Sequence, residues 1–160
     1  MNDNIHILIV DDNKENLKVI SNFLKDKGYQ IALALDGNSA LKIAKSNKID
    51  LILLDIMMPE MDGFEVCIKL KQKKETIDIP VIFLTAKTET EDIVKGFELG
   101  GVDYITKPFK KEELFARVKN HTQLKQIKDL LKENIDKTIK SDKGLVRLIT
   151  EITDIVNSNN

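Results

Sequence analysis

The sequence predicts a doubly wound α/β domain built on a five-stranded parallel sheet. Short apolar runs recur five times and alternate with amphipathic stretches. Runs of this kind, such as Leu51-Ile52-Leu53-Leu54, suit strands covered on both faces, the mark of a parallel sheet. Acidic residues directly follow the first and third runs, Asp11-Asp12 and Asp55. Folds of this class place their ligand sites outside the carboxyl ends of the strands.

The first strand is expected at 5–10, Ile5-His6-Ile7-Leu8-Ile9-Val10. A helix follows at 14–27, with Leu17, Ile20 and Leu24 as its buried stripe and Asn13 as its cap. Lys27-Gly28 supplies a basic last turn and a glycine stop. The second strand and helix are placed at 30–35 and 37–46, the third pair at 50–54 and 63–74. The fourth strand, 80–84, leads into Thr85-Ala86 and a helix at 90–99. The fifth, 102–106, ends in Thr106-Lys107-Pro108, and helix resumes from 110 onward. Five βα units predict strand order 2-1-3-4-5, with strands one and three adjacent at the switch point. Asp11, Asp12 and Asp55 then share one crevice. Three carboxylates that close do not all ionise cheaply without a cation, and oxygen ligands favour Mg²⁺, Ca²⁺ or Mn²⁺.

Beyond about residue 122 the composition shifts. Proline is absent, glycine nearly so, and Lys, Leu and Ile dominate. Leu114, Val118, His121, Leu124, Leu131, Ile135 and Thr138 fall near one helical stripe, so the fifth helix is expected to run past the domain edge. Ser141-Asp142-Lys143-Gly144 reads as a break and a new helix start. Leu145, Leu148, Ile149, Ile152, Ile155 and Val156 then form an amphipathic face. The expected division is 1–122 for the α/β domain and 123–160 for a helical extension. That extension reads as a coiled-coil linker, a dimerisation or docking helix pair, or a segment folding back on the domain. Lys125, Lys128, Lys132, Lys137 and Lys140 are expected to form a solvated face.

Bulk properties narrow the function classes. With 160 residues, 42% hydrophobic and 32% charged, the chain reads as globular. A net charge of -1 gives no footprint for nucleic acid. No run reaches the length of a membrane span, and Met1-Asn2-Asp3-Asn4 lacks a signal segment, so a cytoplasmic location is the default expectation. The single cysteine, Cys67, is expected to be a buried structural thiol, and His6 a packed core histidine. Asn120-His121-Thr122 gives His121 no acidic neighbour, and it reads as a packing or surface residue. Nothing matches GxGxxG or GxxxxGK[ST], which argues against a nucleotide-binding enzyme.

Four strand ends then agree in residue type, order and spacing: Asp11-Asp12, Asp55 with Met57-Met58-Pro59-Glu60-Met61-Asp62-Gly63, Thr85-Ala86, and Lys107-Pro108. Over about residues 4–122 the chain resembles the response-regulator receiver domain of two-component signalling. The resemblance implies a flavodoxin-like fold, with Asp55 as phosphoacceptor for a histidine kinase or phosphotransfer protein. It implies Mg²⁺ held by Asp12, Asp55 and the Met57 backbone carbonyl, with Asp11 acting partly through water. Lys107, Thr85 and the Ala86 backbone N–H would bind the phosphoryl oxygens, with Lys107–Pro108 cis. Thr85 and Tyr104 would switch the surface of the fourth helix, fifth strand and fifth helix, and a homodimer would form through that surface or the C-terminal helices.

The resemblance also sets Met57 and Lys87 beside the path of an attacking water. An apolar Met57 leads to an expectation of slow self-dephosphorylation. Gly63 reads chiefly as a turn glycine. The module is expected to catalyse only its own phosphorylation and dephosphorylation. A receiver acting by constitutive contact, without phosphorylation, is the alternative. A Mg²⁺-dependent aspartyl-phosphate phosphatase is disfavoured, because the general acid it needs two residues after the nucleophile is here Met57.

Overall fold

The computed structural model describes residues 4–86 and 89–158. Strands β1 (His6–Val10), β2 (Gln30–Ala34), β3 (Leu51–Asp55), β4 (Val81–Thr85) and β5 (Asp103–Thr106) alternate with helices α1 (Lys14–Asp26), α2 (Gly37–Ser46), α3 (Gly63–Lys71), α4 (Thr90–Glu98) and α5 (Lys111–Ile139). Helix α6 (Asp142–Ser158) follows. The sheet is parallel, in the order β2-β1-β3-β4-β5. This is the doubly wound architecture that the alternation of runs predicts, and the flavodoxin-like fold that the resemblance implies. No helix among the described residues is long and apolar enough to cross a membrane.

Strand side chains alternate between faces, so each central strand feeds two cores. Leu8, Val10, Ile52, Leu54, Val81 and Phe83 pack in one cluster with Ala40 and Ala44 of α2 and Phe64, Val66, Cys67 and Leu70 of α3. Ile7, Ile9, Leu51, Leu53, Ile82 and Leu84 pack in the other with Leu17, Ile20 and Leu24 of α1 and Leu114 and Val118 of α5. Register aligns Val10 with Leu54, so β1 and β3 deliver their acidic residues to the same edge. Asn13 caps α1 through its side-chain oxygen, which accepts the N–H groups of Glu15 and Asn16. Gly28 follows in the left-handed region (φ 90°), the conformation that calls for glycine after a helix.

Several expectations need correcting. Helix α3 ends at Lys71, short of 74. Lys71 Nζ donates to the carbonyls of Ile77 and Ile79 at 2.9 and 2.7 Å, and Thr76 Oγ1 donates to the Leu70 carbonyl at 2.7 Å. These bonds fold residues 72–79 into a compact turn where propensity alone would continue the helix. His6 is not a packed core histidine. It opens β1, where its side chain is 39% exposed beside Asp50, and Asp50 accepts its backbone N–H at 2.8 Å. The stripe drawn along α5 is buried at Leu114 and Val118, while Leu124, Leu131 and Ile135 are exposed. Cys67, by contrast, is fully buried as expected, and burial pushes its thiol pKa up.

The chain divides into two compact units, residues 1–122 and 123–160. In the second unit, Ser141 Oγ accepts the Gly144 N–H at 2.9 Å and caps α6. Pairs four residues apart line its helices: Lys125 with Asp129, Glu133 with Lys137, and Arg147 with Glu151. Leu145, Ile149 and Ile152 are exposed. The side chains of Ile155 and Val156, assigned to the same face, lie outside the described residues.

Candidate functional site

The site is assembled from the carboxyl ends of β1, β3, β4 and β5. Asp11 follows β1, and its N–H donates to the Ala34 carbonyl of β2 at 3.2 Å. Its side chain is fully buried. Asp11 Oδ1 accepts the Asn13 N–H at 2.9 Å, while Oδ2 accepts Asn16 Nδ2 at 3.1 Å and Lys107 Nζ at 3.0 Å. Asp55 closes β3, is nearly buried, and accepts Lys107 Nζ on Oδ1 at 3.2 Å. Asp12 is exposed, yet one carboxylate oxygen from each of Asp11, Asp12 and Asp55 lies within 4.8 Å of the others.

Lys107 reaches this cluster from the end of β5. Its backbone N–H donates to the Thr85 carbonyl at 2.8 Å, and the peptide bond to Pro108 is cis. Thr85 is the buried last residue of β4 and pairs with Thr106 in register. Ala86 is exposed just beyond it. Lys87, singled out by the sequence, lies outside the described residues. Met57, two residues past Asp55, is 60% exposed.

The loop between β3 and α3 is anchored at its far end by Asp62, which caps α3 by accepting the Glu65 N–H at 2.9 Å. Gly63 donates its N–H to the Ile56 carbonyl at 2.8 Å. A Cβ at Gly63 would collide with the Asp55 carbonyl oxygen and stand 2.8 Å from Ile56 Cα. Its φ is not positive, so close backbone approach, rather than a turn conformation, makes this position glycine.

The electrostatics follow from the geometry. Burial pushes the Asp55 pKa up; attraction to Lys107 offsets part of this, and repulsion from Asp11 and Asp12 adds to it. Burial works against the charge on Lys107 too, but hydrogen bonds and attraction from Asp11 and Asp55 outweigh it and raise its pKa. One ammonium gains from two carboxylates, whereas Asp55 shares one ammonium and meets two like charges. Net negative charge remains, presented by hard oxygen donors. Such a set fits a small divalent cation that keeps most of its waters, as Mg²⁺ does.

Beside the acidic cluster, a cavity of about 10 Å³ lies among Ile56, Phe83, Thr85, Ile93, Phe97 and Tyr104. That is room for about one water molecule. The half-buried Tyr104 ring meets Phe97 edge-on, with centroids 6.1 Å apart.

The structure thus brings together Asp11, Asp12, Asp55 and Lys107, with Thr85 at the neighbouring strand end. The sequence reading missed Asn16, whose amide holds Asp11. Its signal was available: Asn16 occupies the third position of α1, where side chains reach back toward the helix start. Also missed was a cluster at the opposite end of β5. There Asp103 accepts Arg117 Nη1 on both oxygens at 2.8 and 2.9 Å and faces His121 Nε2 at 2.9 Å.

Comparison with known proteins gives a consistent result. The family described as response regulator receiver domain matches residues 7–119. The alkaline phosphatase synthesis transcriptional regulatory protein PhoP of Bacillus subtilis is 47% identical over 116 residues, 72% of this chain and 48% of that protein. A probable cyclic di-GMP phosphodiesterase of Vibrio cholerae is 49% identical over 125 residues, 78% of this chain and 28% of that protein. The chain therefore spans less than half the length of either relative. A crystal structure of a putative response regulator from Chloroflexus aurantiacus superposes with a TM-score of 0.71 at 34% identity, covering 74% of this chain and 98% of that one.

Proposed function

This chain belongs to the response regulator receiver family, and from that premise we propose that Asp55 accepts a phosphoryl group and so switches the surface formed by α4, β5 and α5. Receiver domains partner with histidine kinases and are typically signalling modules rather than enzymes. The observation that carries the reading is the shared ammonium: Lys107 Nζ bonds Asp11 and Asp55 at once, in a pocket of three converging carboxylates.

In the transfer, an Asp55 carboxylate oxygen attacks the phosphorus of a phosphohistidine. The new O–P bond forms as the P–N bond breaks, and the imidazole nitrogen keeps the bonding pair and then takes a proton. Asp12, Asp55 and the Met57 carbonyl would hold Mg²⁺, with Asp11 acting partly through water. The bound cation supplies charge neutralisation at the phosphoryl oxygens. Lys107 neutralises another of these oxygens as a mobile point charge, and the Thr85 hydroxyl and Ala86 N–H donate to the rest. Thr85 lines the small cavity beside Tyr104. Movement of Thr85 toward the phosphoryl group therefore opens space for the Tyr104 ring, which shifts a population between two packings.

Residues 1–122 act as this receiver, and residues 123–160 as a helical element that passes the signal on. Its relatives include a transcriptional regulator and a probable phosphodiesterase, so the output can differ while the receiver stays constant. A homodimer through the α4–β5–α5 face or through the C-terminal helices is one such route.

The test is intact mass after incubation with Mg²⁺ and a small-molecule phosphoryl donor. Wild type is expected to gain one phosphoryl group that is labile to hydroxylamine, and Asp55→Asn to gain none. A labelled Asp55→Asn would defeat the assignment. An unlabelled wild type, under donors of both phosphoramidate and acyl phosphate class, would favour a receiver that works by contact alone.

A further inference from the structure

Asp11 is a fully buried carboxylate, and a buried charge persists only when donors satisfy it. It has three. One is the Asn13 N–H, on Oδ1. The other two share Oδ2: the Lys107 ammonium at 3.0 Å and the Asn16 amide at 3.1 Å. These two differ in what the reaction asks of them. Lys107 is also bonded to Asp55, and under the proposed function it must turn toward a phosphoryl oxygen. Asn16 has its side chain on Asp11 and its backbone on the cap: among the described residues Nδ2 donates to Asp11 Oδ2, while the backbone N–H donates to the Asn13 side chain.

We propose that Asn16 is a positioning residue for the cation-binding carboxylates: its Nδ2 holds Asp11 in place while Lys107 is shared with Asp55 and then with the phosphoryl group. The inference rests on the proposed function and extends it to a residue outside the acidic cluster. With Asn16 present, Asp11 keeps a side-chain donor on Oδ2 throughout the cycle. Without it, Asp11 and the phosphoryl oxygen compete for one ammonium, and a carboxylate held at Oδ1 by the Asn13 N–H can swing Oδ2 out of the arrangement in which three oxygens converge. A purely local role for Asn16 in starting α1 is set aside by the bond pattern. The cap uses the Asn13 side chain and the Asn16 backbone, and neither depends on the Asn16 amide.

The experiment is a Mg²⁺ titration of the full chain, followed by amide chemical shifts because the protein has no tryptophan. It compares wild type, Asn16→Ala, Asn16→Leu, Asn16→Gln and Asp55→Asn, with thermal unfolding measured in parallel. Removing the donor, as Ala or as the space-filling Leu, is expected to weaken Mg²⁺ binding by about tenfold. Gln, which restores a donor, is expected to recover part of the loss. Unfolding midpoints are expected to fall modestly in Ala and Leu, since a buried carboxylate loses a donor, and less in Gln. Mg²⁺ affinity within twofold of wild type in both Ala and Leu variants, with Asp55→Asn clearly weakened, would overturn the role of Asn16 and leave the phosphoacceptor reading intact. Equal loss in Ala, Leu and Gln, tracking lowered stability, would also overturn it. Absence of saturable Mg²⁺ binding in wild type would overturn the proposed function itself.

Discussion

The imidazole of His121 meets the carboxylate of Asp103 at 2.9 Å, across the packing of α5 on β5. Arg117, one helical turn earlier, grips the same carboxylate through both of its oxygens. A histidine without an acidic neighbour in the sequence thus has one in space. Burial works against charge on Asp103, but hydrogen bonds from His121, Arg117 and the Tyr104 N–H outweigh it and hold its pKa below the usual range.

This relationship gives a pH signature. A carboxyl with a lowered folded pKa contributes stability above its unfolded value and loses it as the pH falls through the folded one. Asp103→Asn is therefore expected to cost about 1 kcal/mol at neutral pH, since Arg117 is partly exposed and solvent screens the pair. The gap between variant and wild type should begin to narrow near about pH 4, the unfolded carboxyl value, and close as the pH falls through the lowered folded one. Urea unfolding across the acid range measures both effects.

At the acidic cluster, the expected effects depend on the cation. Asp55→Asn removes one of three crowded charges, and in chelator it should raise stability by on the order of 1 kcal/mol. Lys107→Ala removes the ammonium shared by Asp11 and Asp55 and should lower it. Saturating Mg²⁺ should reverse the first ranking, because Asp55→Asn lacks one of the three carboxylates. Thermal unfolding with and without Mg²⁺ decides this.

Thr85 and Tyr104 border one small cavity, and their coupling can be observed directly. The chain has two tyrosines, the buried Tyr29 and the half-buried Tyr104. With fluorinated tyrosine, beryllofluoride and Mg²⁺ should shift the Tyr104 resonance and leave that of Tyr29 in place. Thr85→Ala should abolish the shift without preventing beryllofluoride binding.

Met57 stands exposed two residues beyond Asp55, and its thioether is a poor partner for an attacking water. The phosphorylated wild type is expected to be long-lived. Met57→Asn should shorten that lifetime by roughly tenfold, the worth of about one hydrogen bond to water in the transition state. Decay of phosphoprotein mass over time gives the comparison.

The exposed apolar side chains of the second unit, Leu145, Ile149 and Ile152 among them, make self-association measurable. Light scattering on a size-exclusion column should show dimer formation strengthened by beryllofluoride with Mg²⁺, and weakened by Leu145→Lys with Ile149→Lys. An unchanged mass would turn the search toward a separate partner.

The strand ends were legible in the sequence because each acidic or hydroxyl residue directly follows an apolar run, and parallel order then determines what lies beside what. The Asn13 cap was legible for the same local reason. Relations that depend on how a helix is rotated over the sheet were not. Asn16 meets Asp11 only because α1 packs with Leu17 and Ile20 inward. Arg117 and His121 meet Asp103 only because Leu114 and Val118 turn α5 the same way. The end of α3 was hidden because Gln72, Lys73 and Lys74 are good helix formers, and the stop comes from the bonds of Lys71 and Thr76. Amphipathic periodicity along α5 told which residues share a face, but not whether anything covers it.

The meeting of Gly63 with the backbone of Asp55 and Ile56 separates the site's equipment from its foundation. Main chain rests on main chain there, and no rotamer stands between the start of α3 and the end of β3. The carboxylates, the lysine and the water-facing position at Met57 can then be exchanged one at a time while the floor beneath them keeps its height. Under the proposed function, reaction lifetime and cation preference become adjustable settings on a fixed mount. A bulkier residue at position 63 would disturb every one of those settings together.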